Sequence, residues 1–219
     1  MRVLLFGRCN MRSKSRFFVF VLLSAFIFLL GFGLGNHFAL LDGGINKILK
    51  ESELNAESFL VEQQLSETLG SNCVFSQERL SALSEQLWDL GKMLDKESAR
   101  KDLGEKWYDL LKRKFHLMQI KTYVLYKKLE QNCGKDFDVI LFYFKRDNPD
   151  SKQQGEILDR IVDDFGAKVF AVEFGYAPEL RFLEQYYGID SAPALVINFD
   201  KKLEGLQSYD VIKKILENS

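Results

Sequence analysis

The feature that most constrains this chain is an uninterrupted apolar segment near its N-terminus. Residues 17–41 contain no Asp, Glu, Lys or Arg, and the first 18 of them form one apolar run. A transmembrane helix needs about 20 apolar residues to cross the ~30 Å hydrocarbon core of a bilayer. The segment therefore predicts a transmembrane helix over residues 17–41, in contact with membrane lipid.

A cleaved signal peptide is the main alternative for this segment. Its apolar region would be about 7–15 residues long and would end at a cleavage site of small residues. Here the apolar region is longer, and the sequence after it, GLGNHFALLDGG, offers no clean site of that kind. We therefore prefer an uncleaved anchor. A buried core helix ranks third, because nothing else in the chain is apolar enough to surround it.

Charge is distributed unevenly on the two sides of the apolar segment. Residues 1–16 carry five basic residues and no acidic ones, whereas residues 42–219 hold all 31 acidic residues and 25 of the 30 basic ones. Since basic residues accumulate on the cytoplasmic side of a membrane helix, residues 1–16 are predicted to be a cytoplasmic tail. Residues 42–219 would then be periplasmic or extracellular. Their acidic balance argues against nucleic-acid binding through phosphate neutralisation.

Two of the three cysteines fall in the predicted outer part. Cys73 and Cys133 would lie in an oxidising compartment, where disulfides persist, and could form one bond across roughly 60 residues. Two free buried thiols are the alternative. No C-x-x-C sequence occurs, so a zinc ribbon and a dithiol redox motif are both absent.

Residues 42–134 predict a helical region in three pieces. They contain no proline and are rich in leucine, glutamate and lysine. The first piece would run from about 45 to 69, the second would follow Ser76 as its N-cap, and the third would run from about 103 to 131. Leucines in the second piece recur at alternating spacings of three and four residues, which favours packing on another helix. These leucines are Leu80, Leu83, Leu87, Leu90 and Leu94.

The second and third pieces can pack as an antiparallel hairpin. Cys73 precedes one piece and Cys133 follows the other, so a bond between them would clamp the open end of the hairpin. The same leucine seam could instead pair two chains and form a homo-oligomeric stalk.

Residues 135–219 change to an alternation of strands and helices. The run FDVILFYF predicts a buried strand, and PDSKQQGEILDRIVDDF predicts a helix with a proline near its first turn. The remaining pattern completes the order β-α-β-α-β-β-α. Strands are predicted at 137–144, 167–174, 194–199 and 203–207, and helices at 149–165, 178–187 and from Ser208 onward.

This order, together with the segment YGIDSAPALVI, resembles the thioredoxin-like superfamily over residues 137–218. Members typically carry the pattern Y-x-[IV]-x-x-x-P-[TA]-[LIVF], in which the peptide bond before the proline is cis. The resemblance implies a cis bond before Pro193 and places Ala192 and Pro193 at a peptide groove, where the backbone of Ala192 would pair with an extended bound segment. The alternative is that Pro193 only shapes the entry into the strand. The expected fold class is an α/β thioredoxin-like domain, preceded by the helical hairpin region and one N-terminal transmembrane helix.

The redox motif of the superfamily is missing from this chain. Its C-x-x-C should follow the first strand, where this sequence reads Asn148-Pro149-Asp150-Ser151, and an acid often found in that strand corresponds to Phe142. Thiol–disulfide exchange needs an attacking thiolate, so the resemblance implies a domain without redox activity. Asn148, Asp150 and Ser151 are expected to cap the helix and to border the peptide groove.

Three functions remain open from the sequence. The preferred one is a membrane-tethered, extracytoplasmic binding or assembly module that is not an enzyme and recognises an unknown protein, as in envelope, secretion or conjugation machinery. The second is a thiol–disulfide oxidoreductase that uses Cys73 and Cys133 as a relay, and the third is the oligomerising stalk. No cofactor or metal is expected, because the chain has two histidines, His37 and His116, and a histidine-rich metal site would need more.

Overall fold

The computed structural model describes the chain in several ranges, which group into two compact units divided after Glu62. The described residues are 20–32, 47, 49–50, 53–54, 57–61, 64 and 73–218. In the first unit, residues 20–32 are helical and are called α1. The other described residues of this unit are also helical. The basic tail, Cys9, His37 and much of the first predicted helical piece lie outside the described residues.

The prediction of a transmembrane helix was wrong. No helix in the described part of the chain, residues 20–32 included, is both long and apolar enough to cross a membrane. The prediction of a single-pass topology, with residues 42–219 outside the membrane, was wrong for the same reason. The two ends of the apolar segment, residues 17–19 and 33–41, lie outside the described residues.

The fold class also differs from the expectation. The described chain is mostly helical and contains one small mixed sheet, because two long helices outweigh four short strands. Helix α2 spans Cys73–Leu94, the short helix α3 spans Ala99–Leu103, and helix α4 spans Glu105–Cys133. Ser76 lies inside α2, three residues after its start, so its predicted role as the N-cap was wrong.

Helices α2 and α4 pack along each other. In the leucine seam of α2, Leu83 and Leu90 are buried. Gly91 lies against the ring of Phe115 on α4, and a Cβ there would be 3.4 Å from that ring. The helix α4 is followed by its C-cap Gly134, whose φ of 58° is in the left-handed region that favours glycine.

The sheet has four strands in the order β2-β1-β3-β4. β1 is parallel to β2 and antiparallel to β3, and β3 is antiparallel to β4. The strands are β1 Val139–Phe144, β2 Lys168–Glu173, β3 Ala194–Ile197 and β4 Lys201–Glu204, and the helices are α5 Pro149–Phe165, α6 Arg181–Tyr187, which follows a 3-10 turn at Pro178–Leu180, and α7 Tyr209–Leu216.

Two hydrophobic cores cover the two faces of the sheet. Successive side chains of a strand point to opposite faces. Accordingly, Leu141 and Tyr143 of β1 pack with residues of α4 and α6, whereas Ile140 and Phe142 pack with residues of α5 and α7. All four are buried, which explains why β1 reads as a continuous apolar run.

The last two strands differ from their predicted bounds because of the turn between them. Asn198 and Phe199 both have positive φ, 48° and 65°, so β3 ends at Ile197 instead of continuing to residue 199. Asn198 also accepts a hydrogen bond through Oδ1 from the Val139 backbone N–H at 2.9 Å. As a result, β4 spans Lys201–Glu204 and begins two residues earlier than predicted.

Candidate functional site

The loops that carry the predicted site residues lie at one end of the sheet, where β1 and β2 terminate, and this end is called the sheet edge below. The parallel strands β1 and β2 both end there, with Phe144 opposite Glu173. The antiparallel strand β3 begins there, with Ala194 opposite Tyr143. The turn after β1, the turn after β2 and the loop before β3 therefore lie at the same end of the sheet.

The turn after β1 is held by the side chains at the start of α5. Asn148 is the N-cap and accepts a hydrogen bond through Oδ1 from the Ser151 backbone N–H at 2.8 Å. The Ser151 hydroxyl is buried and accepts from the Lys145 backbone N–H at 3.1 Å. Asp150 is exposed in the first turn. Asn148 and Ser151 thus order the turn where the redox motif of the resembled superfamily would stand.

Replacing Asn148 with alanine is expected to lower the free energy of unfolding by about 1 kcal/mol, because the cap hydrogen bond is lost. Urea denaturation followed by circular dichroism measures the change. The exposed residue Gln153, on the same helix, supplies the control, since Gln153→Ala should stay within about 0.5 kcal/mol of the parent. Equal effects of the two substitutions would contradict the capping role.

The loop before β3 presents an unpaired stretch of backbone. The bond between Ala192 and Pro193 is cis, Ala192 is half-buried, and Pro193 is buried. The Pro193 carbonyl accepts from the Gly205 backbone N–H at 2.8 Å. Within the described chain, neither the N–H nor the carbonyl of Ala192 has a hydrogen-bond partner, whereas β3 is paired on both sides.

A buried ion pair joins α4 to the same edge of the sheet. The Lys112 ammonium pairs with the Glu173 carboxylate at the end of β2, and their side chains are 9% and 15% exposed. Arg146, in the turn after β1, approaches the same carboxylate at 3.8 Å. The Lys112 ammonium also lies 4.5 Å from the centre of the Tyr176 ring. One carboxylate thus connects three elements.

His116 lies one helical turn further along α4 and is buried among aromatic rings. Its ring centre is 5.4 Å from that of Tyr176 and 6.4 Å from that of Phe144. Neither ring nitrogen has a hydrogen-bond partner in the described chain. Burial, together with the positive charges of Lys112 and Arg146, lowers the pKa of His116 to about 4, although the Ala171 carbonyl opposes the shift. The imidazole is therefore neutral at pH 7.

A second polar group lies beneath α6. The Tyr143 hydroxyl is buried and has no hydrogen-bond partner among the described residues, and burial raises its pKa, with the charge of Glu184 adding to the shift. Glu184 accepts through Oε1 from the Gly175 backbone N–H at 2.9 Å. The hydroxyl oxygens of Tyr123 and Tyr187 are 2.7 Å apart. These phenols stay protonated at neutral pH and cannot serve as bases there.

Sequence reasoning missed the buried polar groups of α4 because this helix is buried on two faces. One face includes Leu111 and Met118. A second face, with His116, Ile120 and Tyr123 at spacings of four and three residues, is buried as well. That second periodic series was the available signal, and it indicates a helix packed on two sides.

The two cysteines lie far from this edge. Cys73 and Cys133 have their sulfur atoms 2.17 Å apart, at disulfide-bonding distance, between the start of α2 and the end of α4. Lys112 and Cys133 are 21 positions apart on α4, which corresponds to about 30 Å of helix. The cysteine pair is therefore not part of the candidate site.

No group of three or more His, Cys, Asp or Glu side chains in the described ranges could hold a metal ion. No protein-family model matches the chain, and no curated protein gives a significant match to it. The site is therefore interpreted from its own geometry.

Proposed function

We propose that residues 139–216 form a protein-binding module without redox activity, which holds an extended segment of a partner protein against the backbone of Ala192. The observation that carries the proposal is that the N–H and carbonyl of Ala192 have no partner among the described residues, two residues before a strand whose own ladder is complete. Unpaired backbone N–H and carbonyl groups can pair with an extended segment of a partner, as in recognition by strand addition.

The resemblance to the thioredoxin-like superfamily supports the same position. The element order from β1 to α7, the arrangement of the four strands and the cis bond before Pro193 agree with that resemblance. In the superfamily, the residue before this proline pairs with a bound peptide.

The chemistry at the edge favours binding over catalysis. Ser151 holds the position of a motif cysteine, but its buried hydroxyl accepts a hydrogen bond from the Lys145 backbone N–H and makes no hydrogen bond to a basic side chain among the described residues. Cys73 and Cys133 lie about 30 Å away along α4, where a bond between them would stabilise the helices.

Site-specific photocrosslinking tests the proposal in cells that express the full chain. A photoreactive amino acid at Ser191 or at Asp150, both exposed and next to the groove, should give one discrete crosslinked protein. Asp163 is exposed near the other end of α5 and is the matched control, which should not give that product. Peptide mapping then identifies the crosslinked segment for synthesis.

The synthetic segment allows a test of backbone pairing itself. N-methylation of the amide that faces Ala192 should weaken binding about tenfold, because one hydrogen bond and its close approach are lost. N-methylation of the next residue, whose N–H points away from the edge, should change affinity much less. Equal effects of the two peptides, or crosslinking as strong from Asp163, would contradict the proposal. Dithiol oxidation abolished by Cys73→Ser would instead favour the oxidoreductase.

A further inference from the structure

We propose that His116 is a proton-sensitive latch that holds the first half of α4, residues 105–119, against the carboxyl ends of β1 and β2. The imidazole is 2% exposed and packs between Phe144, the last residue of β1, and Tyr176, which follows β2. Neither ring nitrogen makes a well-formed hydrogen bond within the described chain, although the Ala171 carbonyl lies close enough to act on the ring. The neutral ring therefore packs largely as an apolar group, whereas a protonated ring would bury two donors and leave at least one of them without an acceptor.

The charged groups around His116 also disfavour its protonation in the closed state. Lys112 on α4 and Arg146 after β1 both act on the ring, and both also approach Glu173, the carboxylate that β2 contributes. Helix α2 packs on α4 but contributes no charged group to this environment among the described residues. Protonation would therefore add a third positive charge to a region where Lys112 and Arg146 already share one carboxylate.

Two further acids near this end of α4, Asp109 and Glu179, also have partners. Asp109 accepts a hydrogen bond from the Tyr176 hydroxyl at 2.8 Å and forms an ion pair with Arg113 at 2.6 Å. Arg113 also approaches Glu179 at 3.4 Å. Because these acids already have partners, they are not free to pair with a protonated His116. The unfavourable free energy of the buried imidazolium is therefore lowered most when the contact between α4 and the sheet edge opens.

The direction of the pH effect follows from the two states of the imidazole. In the closed state the pKa of His116 is about 4, and exposure to water returns it to about 6.5. Between these values the open state binds more protons, so opening becomes more favourable as the pH falls. The ratio of open to closed molecules should rise about 30-fold from pH 7.5 to pH 5.

Native-state hydrogen exchange on the full chain, at pH 7.5 and at pH 5, tests the latch. After correction for intrinsic rates, amides of residues 112–119 should be less protected than those of residues 194–197 in β3 and should depend only weakly on denaturant, since they open locally. Their protection should fall about 30-fold at pH 5. If they exchange with the same protection and denaturant dependence as β3, only global unfolding exposes His116, and the latch is refuted.

Variants assign the pH effect to this residue. His116→Phe and His116→Gln cannot take up the proton, so the pH dependence of residues 112–119 should disappear in either variant that folds. His37→Gln removes the other histidine of the chain and should retain the dependence. Retention of the pH dependence in a folded His116 variant would overturn the proposal. If neither variant folds, the denaturant dependence measured on the parent chain still tests whether residues 112–119 open locally.

Discussion

Removal of the bond between Cys73 and Cys133 is expected to lower the free energy of unfolding by about 4 kcal/mol. A cross-link across 60 residues restricts the unfolded chain, and the chain-entropy model gives a contribution of that size for such a loop. The variant Cys73→Ser/Cys133→Ser should unfold at a correspondingly lower urea concentration than the oxidised parent, measured by circular dichroism and tryptophan fluorescence. Trp88 and Trp107 lie on the two helices that the bond connects, so fluorescence reports on them directly.

Reductant provides the internal control for this prediction. Dithiothreitol should lower the stability of the parent to that of the double variant and should leave the double variant unchanged. Cys9→Ser, which removes the third cysteine, should behave as the parent does. If the double variant matches the oxidised parent in stability, the bond does not constrain the unfolded chain.

The carboxy-terminal elements were predictable because their signals are local. Pro149 at the first turn and Asn148 as the cap define the start of α5, and Gly166, with a φ of 67°, ends it. The strand β1 is apolar at every position because both of its faces are covered. In such segments, local propensity and packing indicate the same structure.

The apolar segment and the polar edge were not predictable in the same way. A run of apolar residues indicates burial, but hydropathy alone does not decide whether the segment forms a helix that can span a membrane. Lys112 and Glu173 are 61 positions apart, and each reads as a solvated charge in the sequence. Their pairing becomes visible once α4 is placed across the sheet edge. Long-range pairs of this kind depend on tertiary packing.

The Lys112–Glu173 pair should make the largest contribution among the ion pairs at this edge, and its two partners should differ. Glu173→Met is expected to cost about 4 kcal/mol, because the buried Lys112 ammonium is left with only the Tyr176 ring. Lys112→Met is expected to cost about 3 kcal/mol, since Glu173 keeps Arg146 at 3.8 Å. Urea denaturation at pH 7 measures both.

The double variant Lys112→Met/Glu173→Met separates the attraction between the partners from the cost of an unpaired buried charge. It should be more stable than either single variant, because two methionines fill the space and leave no charge buried. The pair Lys213–Glu217, 3.7 Å apart and 43% and 54% exposed, is the matched control, and Lys213→Met should cost less than about 1 kcal/mol. If the two single losses add up in the double variant, the side chains act independently. Coupling between them would mean that Glu173 holds α4 on the sheet, and it would identify the contact that must break when His116 takes up its proton.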